Sequence, residues 1–254
     1  MTSLHRTTMS RSPLVFAVFA FRVVEPAEAD ANHVTLGAGV AAMPVFQGSD
    51  EYEARLAPLV DVQKGRFFAR VGEGIGFNVI ETPDFKTGVS VNWMQGYDSS
   101  DAPEGIGEVK DALGARVFVS ARFRGTVTTL AATQAVTESE RGLLVNASLA
   151  YPCQATRRLT IIPSLGVTWA NEKYMTGYFG VNTSQAAASG FSQYQPSAGL
   201  KDISFRINAR YGITDKVSLL GSVGVTHLLD TAADSPFVEE PTQPVALIGL
   251  TYTF

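Results

Sequence analysis

Residues 203–213 read ISFRINARYGI, and this stretch decides the fold. Ile203, Phe205, Ile207, Ala209, Tyr211 and Ile213 alternate with Ser204, Arg206, Asn208, Arg210 and Gly212. Successive side chains of a β-strand point to opposite faces, so the alternation predicts one apolar and one polar face. The polar face carries two arginines, which must meet water or paired charge.

The same period recurs along the chain. Phe85, Thr87, Val89, Val91 and Trp93 oppose Lys86, Gly88, Ser90 and Asn92. Leu113, Ala115, Val117, Val119, Ala121 and Phe123 oppose Gly114, Arg116, Ser120 and Arg122, with Phe118 breaking the pattern. Runs at 34–40, 143–151, 159–169 and 217–226 alternate likewise. Twelve strands are predicted, at approximately 33–42, 54–63, 66–72, 74–81, 85–95, 112–123, 125–135, 142–152, 157–170, 202–213, 216–228 and 244–254. The third and fourth are short and glycine-rich, and the seventh alternates poorly.

A soluble sandwich would also alternate. Three features favour a transmembrane antiparallel up-and-down β-barrel instead. Many runs are about ten residues long, the length a tilted strand needs to cross hydrocarbon. Several apolar faces end in an aromatic (Trp93, Phe123, Tyr151, Trp169, Tyr252), as an interfacial girdle would. The polar faces favour Gly, Ser, Thr, Asn and Arg, suited to a crowded or wet lumen. The connections agree: those near 64–65, 82–84, 124, 153–156 and 214–215 are short, while 96–111, 171–201 and 229–243 are long. Short periplasmic turns and long extracellular loops are the rule for outer-membrane barrels. In the last strand Ile248, Leu250, Tyr252 and Phe254 share one face. It must pair with the first, because an open edge in lipid strands backbone groups. Its terminal aromatics, Tyr252 and Phe254, resemble the signal read by the barrel-insertion machinery.

Composition sets the outer bounds. The 254 residues are 45% hydrophobic and 17% charged, with 23 glycines and a net charge of −4, which gives no reason to expect a nucleic-acid partner. One cysteine excludes an internal disulfide framework, and no residue cluster calls for a metal or cofactor. Residues 1–29 read as a cleaved signal peptide, leaving 30–254 as the barrel. Arg6 and Arg11 make the basic start, 14–21 the apolar stretch and Ala27-Glu28-Ala29 the cleavage site. Arg22 interrupts the apolar stretch, and a start at Met9 would give a more ordinary length.

Longer motifs carry a family resemblance. They are Trp169-Ala170-Asn171-Glu172-Lys173-Tyr174-Met175, then Tyr178-Phe179-Gly180-Val181, Gln185-Ala186, Ser189-Gly190, Tyr194 and Gly199-Leu200-Lys201-Asp202. Leu228-Leu229-Asp230-Thr231-Ala232-Ala233-Asp234-Ser235-Pro236-Phe237-Val238 is a second motif, and Pro44, Gln47-Gly48-Ser49-Asp50 and Pro58-Leu59-Val60-Asp61-Val62 a third. The chain resembles the MipA/OmpV family, the MltA-interacting outer-membrane proteins, over about 34–254. Phe46 stands where the family has Tyr, and Asp230 follows Leu229 without the family's Gly. The resemblance implies a barrel in the cell outer membrane that is not an enzyme. It also implies a scaffold linking a murein lytic transglycosylase to a murein synthase, although other members are discussed as adhesins or porin-like proteins. Family membership indicates architecture better than role.

Several residues are candidates for function. By parity Lys86, Arg116, Arg122, Arg206 and Arg210 face the lumen, where they either select anions or pair with carboxylates. In the loop 171–201, Thr183 to Gly190 reads as a short helix with a hydroxyl N-cap and a glycine stop. The loop either folds into the mouth as a lid or plug or presents a binding surface, and the first is favoured because Tyr174, Tyr178, Phe179, Phe191 and Tyr194 need burial. Asp98, Asp101, Glu104, Glu108 and Asp111 form an acidic outer loop, either solvated or bridged by cations to lipopolysaccharide. Gly72-Glu73-Gly74-Ile75-Gly76 reads as a tight hairpin rather than a phosphate loop, Cys153 as a free thiol in a turn, and His33 and His227 as structural. A scaffold, a narrow channel with a basic lumen and a surface adhesin all remain open. No Ser/His/Asp set or converging carboxylate pair supports hydrolysis.

Overall fold

The computed structural model describes residues 32–254, so the expected signal segment lies outside the described residues. The strands are β1 (Asn32–Pro44), β2 (Tyr52–Lys64), β3 (Phe67–Arg70), β4 (Gly74–Glu81), β5 (Phe85–Met94), β6 (Ala112–Phe123) and β7 (Thr126–Ala135). They continue as β8 (Leu143–Ala150), β9 (Cys153–Gln154), β10 (Leu159–Ala170), β11 (Gly199–Gly212), β12 (Val217–Leu228) and β13 (Thr242–Thr253). Both β8 and β9 pair with β10, and Tyr151 N–H donates to Pro163 O across the break at 3.0 Å. Pro152, which has no N–H to give, divides one stave into two segments. The barrel therefore has twelve staves, each antiparallel to its chain neighbour.

The ring closes between β1 and β13, with Thr35 opposite Thr253 and Phe254 N–H donating to Val34 O at 3.0 Å. Closure satisfies the edge groups that lipid could not. The two faces reverse the rule for a water-soluble protein. Leu56, Ile75 and Ile248 point outward, 70, 73 and 59% exposed, while Thr129, Asn208, Ser218, Ser222 and Thr251 are buried inside. This is the arrangement of a barrel whose outer solvent is hydrocarbon. Phe118, which broke the apolar alternation, keeps strict parity: it points inward against Phe68, ring centroids 5.8 Å apart.

The connections after β2, β4, β6, β9 and β11 are short. Arg124 and Gly125 both have positive φ (49° and 83°), as a two-residue type I′ hairpin requires. Long loops leave the opposite end, where the segment between β10 and β11 forms two helices rather than the one expected. These are α1 (Glu172–Phe179) and α2 (Thr183–Ser189). The N-cap of α2 is Asn182, not the expected hydroxyl: its side chain accepts from Gln185 N–H in a capping box, and Gly190 ends the helix at φ 80°. A single turn, α3 (Asp230–Ala233), follows β12. No helix among the described residues is long and apolar enough to cross a membrane; the strands cross it.

One hairpin is much shorter than the rest. β3 has four residues, against the seven expected over 66–72, and turns into β4 through residues 71–73. The pairing of β2 with β3 covers only Asp61 to Lys64, extended by Val71 N–H to Val60 O. Above that level the described partner of β2 is β1 alone.

Candidate functional site

The long-loop end is sealed from inside. Asn171 caps α1: its Oδ1 accepts from Tyr174 N–H at 3.0 Å and from Leu143 N–H at 2.9 Å, pinning the helix to the top of β8. The helix thereby drops Tyr174, Met175, Tyr178 and Phe179 into the mouth, all buried. Tyr174 and Tyr178 stack with centroids 5.6 Å apart, and Tyr97 of the loop 95–111 meets Tyr178 edge-on at 5.2 Å. Phe46 from the β1–β2 loop joins Tyr97 at 5.5 Å and Phe237 of the loop 229–241 at 5.9 Å. Four connections thus share one aromatic core. Phe191 and Tyr194 pack on its edge, and Tyr194 OH donates to Thr231 O at 2.9 Å. Burial pushes the Tyr97 and Tyr178 phenols well above their ordinary range, so both stay neutral.

Two buried cations tie this core to the wall. Arg141 donates to Lys110 O at 2.8 Å and Gln95 O at 2.7 Å, with its guanidinium 5.8 and 5.5 Å from the Tyr174 and Tyr178 rings. Lys201 is the extra residue of a register shift opposite Thr168 and Trp169, where Asp202 and Leu200 are the paired residues. A bulge re-aims its residue, and Lys201 consequently turns inward beside Asp202, which by parity already faces inward. Its Nζ reaches Asp202 and Gln47 Oε1 (2.8 Å) and lies 5.9 Å from the Tyr174 ring.

Beneath the plug is a cavity of about 420 Å³. Arg116, Arg141, Lys201 and Arg206 line it, with Glu73 and Asp202 the acidic members. The lumen below is crowded. Ala41, Ala57, Leu59, Leu220 and Leu247 form one inward apolar cluster, and Phe68, Phe118 and Ala131 another. Arg70 bridges Asp61 (2.9 Å), Gln63 (2.6 Å) and Glu73 (3.4 Å) between them.

The five basic residues read from parity do not form one ring. Arg116 and Arg206 meet at the cavity. Arg210 donates to Ser218 Oγ at 3.2 Å near the short-turn end, Arg122 is half-buried on β6, and Lys86 is an exposed strand-end residue 2.5 Å from Glu81. Of the plug aromatics, Tyr174, Tyr178 and Phe179 come together in the core. Tyr252 and Phe254 are exposed on the outer wall, centroids 4.9 Å apart. The acidic loop does not act as a unit: Asp111 accepts from Gly96 N–H at 2.6 Å, Asp101 lies 3.3 Å from Arg55, and Asp98, Glu104 and Glu108 are exposed. His33 lies 3.2 Å from Asp61, His227 bonds Thr242, and Cys153 is exposed and unbridged.

Arg141 and Lys201 are the functional candidates that periodicity missed, while Asp202 keeps the parity of the expected 202–213 strand. Arg141 ends a short 3-10 turn, Ser139–Arg141, between β7 and β8, and a bulge breaks the parity at Lys201. A capping signal for α1 was present in Asn171 followed by Glu172. The two ends of the barrel also differ in charge. Lys64, Arg66, Lys86, Arg124, Arg157, Arg158 and Lys216 are exposed around the short turns, against Glu81, Asp84 and Asp215. The long-loop end carries exposed Asp50, Glu51, Asp98, Glu104, Glu108, Glu138, Glu140, Glu172, Asp230, Asp234 and Glu239 against exposed Lys110 and Lys173.

Comparison with known proteins agrees with this architecture. The family model described as MltA-interacting protein MipA matches residues 36–254. The outer membrane protein YiaT of Escherichia coli K12 is 24% identical over 248 residues, covering 94% of this chain and 98% of that protein. The MltA-interacting protein of the same organism is 31% identical over 96 residues, 38% of each chain. The 24 kDa outer membrane protein of Pasteurella multocida Pm70 is 22% identical over 237 residues, 88% of this chain and 91% of its own. Among solved structures, an outer-membrane channel from Pseudomonas putida F1 aligns at TM-score 0.49 and 12% identity, over 91% of this chain and all of its own. The KdgM porin aligns at 0.46 and 9%, over 87% and 99%. A closed twelve-stave barrel with these relatives is located in the bacterial outer membrane. The chain belongs to the MltA-interacting protein MipA family.

Proposed function

We propose that this barrel is a non-catalytic scaffold whose periplasmic rim recruits a murein lytic transglycosylase and, through it, a murein synthase. The observation that carries the reading is the charge of the short-turn end, where, among the described residues, seven exposed cations face three exposed side-chain carboxylates. The short turns offer a partner little area, so charge complementarity must supply encounter and orientation. A sealed mouth supports the same direction. An open pore needs a continuous wet path, whereas the aromatic plug and the two inward apolar clusters interrupt one. The name of the relative sharing 31% identity, MltA-interacting protein, supports the class of partner. In this reading Tyr252 and Phe254 serve assembly, presenting an aromatic strand end to the insertion machinery, and α1 with its aromatics serves as a permanent lid.

The test is binding of purified barrel in detergent to a purified murein lytic transglycosylase. Replacing Arg124, Arg157 and Arg158 together with Glu reverses charge in two neighbouring turns without touching a strand. Affinity should fall at least about tenfold, equivalent to about 1.4 kcal/mol, and the remaining binding should lose its salt dependence. Unchanged affinity, or stable single-channel conductance through the unmodified barrel, would overturn the scaffold reading.

A further inference from the structure

The shortened β3–β4 hairpin leaves a gap in the barrel wall. Its lower margin is the turn 71–73, where Val71 N–H reaches Val60 O. One side is the edge of β2 over 52–59, and the other is the top of β5, where β4 pairing ends at Ile75 opposite Val91. The upper margin is the loop 95–111, which reaches back across the gap to place Asp101 Oδ2 3.3 Å from Arg55 Nη2. Tyr52 and Trp93 flank the gap on the outer wall, exposed aromatics at the level where an interfacial girdle sits. Leu56, below Tyr52, is outward and exposed. The gap therefore opens toward the outer leaflet.

Its inner side meets the cavity, which is lined there by Gly72, Glu73, Asn92 and Trp93. Alternate residues of an antiparallel strand send both backbone groups to the same neighbour, so part of β2 over 52–59 presents N–H and C=O to the gap. Such groups are costly against hydrocarbon and well suited to a polar headgroup. At the inner threshold of the gap, Asn92 Oδ1 is buried without a hydrogen-bond partner and packs over Gly114 of β6, while Glu73 is held 3.4 Å from Arg70. Beyond it the cavity holds four basic side chains and two acidic ones.

We propose that this gap is a lateral entrance from the outer leaflet to the cavity, and that its ligand is a single-chain anionic amphiphile such as a long-chain carboxylate. The cationic cavity takes the head, and the apolar margin at Leu56 and Trp93 takes the tail. A volume of about 420 Å³ lies within the usual range for small-molecule sites. The inference does not depend on the rim scaffold, because it involves the opposite end of the barrel.

The experiment uses the full barrel in nanodiscs and hexadecanoate bearing a diazirine close to its carboxylate, so that the label reports the head. Photolabelling should be saturable, should map to Asn92 and the inward residues of β5 and β6, and should be competed by hexadecanoate but not by hexadecanol. In a Cys153→Ser background, Arg55→Cys with Asp101→Cys, joined by a short bis-methanethiosulfonate linker that replaces the reach of the arginine side chain, staples the loop across the gap. Cross-linking should cut cavity labelling about tenfold, and reduction should restore it. A second variant without a disulfide, Asn92→Trp, fills the inner threshold and should cut labelling equally. Labels confined to the outer wall, or unchanged by both variants, overturn the lateral entrance. Equal competition by hexadecanol overturns the anionic specificity.

Discussion

Replacing Arg141 with Ala tests whether the plug is held by the wall or only rests in it. The guanidinium makes two charged hydrogen bonds to main-chain carbonyls of the loop 95–111 and lies against two tyrosine rings of α1. A charged hydrogen bond is worth about 1.5–3 kcal/mol, and a desolvated cation–π contact about 1–2 kcal/mol. The terms share one side chain and cannot simply be summed, so a net loss of about 4 kcal/mol is the reasoned value. If α1 opens independently of the barrel, its open population should rise about a thousandfold, since each 1.4 kcal/mol is a factor of ten. Hydrogen exchange by mass spectrometry reads this directly. Amides of α1 should exchange about three decades faster in the variant, while β11 amides remain protected. Arg141→Lys should recover only part of the protection, because one ammonium cannot span both carbonyls in the guanidinium's fork. Exchange in α1 within about threefold of the unmodified protein, with the barrel folded, would refute the view that Arg141 locks the plug.

Two further outcomes follow from the same region. Gly142 has φ 57°, and a Cβ there would lie 2.3 Å from Asn171 Oδ1, the cap of α1. Gly142→Ala should therefore cost about 1–2 kcal/mol, read as faster exchange at Leu143 and Tyr174 with the barrel intact. The Asp101 carboxyl is held above the ordinary 3.8, first by partial burial and then by Glu53, with Asp98 adding to the rise and Arg55 opposing it. A raised acid binds its proton more tightly when folded, so its contribution to stability is present at low pH and lost as pH rises through the folded value. Melting of the loop 95–111, followed by exchange at Tyr97 and Val109, should ease as pH climbs through that range. Asp101→Asn should flatten the slope, and an unaltered slope would exclude Asp101 as its source.

Most of the barrel was legible because a strand writes its environment into its own residues. The 112–123 run matched the observed strand end to end, and even the irregular Phe118 obeyed parity once its lumen neighbour Phe68 was known. The third strand was overextended for an instructive reason. Gly72 and Gly74 fit either a strand or a turn, and their positive φ of 80° and 85° is decided by where the neighbouring strands end. The plug aromatics were legible as residues needing burial, but not the company they keep. Phe46, Tyr97, Tyr178 and Phe237 come from four separate connections. Lys201 was hidden because a one-residue bulge shifts parity locally without changing composition.

The sequence by itself determined the number of staves, the face that side chains take wherever a strand runs without a bulge, the alternation of short and long connections and the pairing of the C-terminal strand with the first. Period two is a local property, and lipid outside with polar groups inside imposes it on every stave. Only the tertiary structure decided that the mouth is plugged, that the basic residues divide between cavity and rim, and that one side of β2 is left open. Those depend on distances between residues far apart in the chain, and on how high each neighbouring strand rises. The loops that meet at the mouth are coupled through a shared aromatic core, which no single segment encodes.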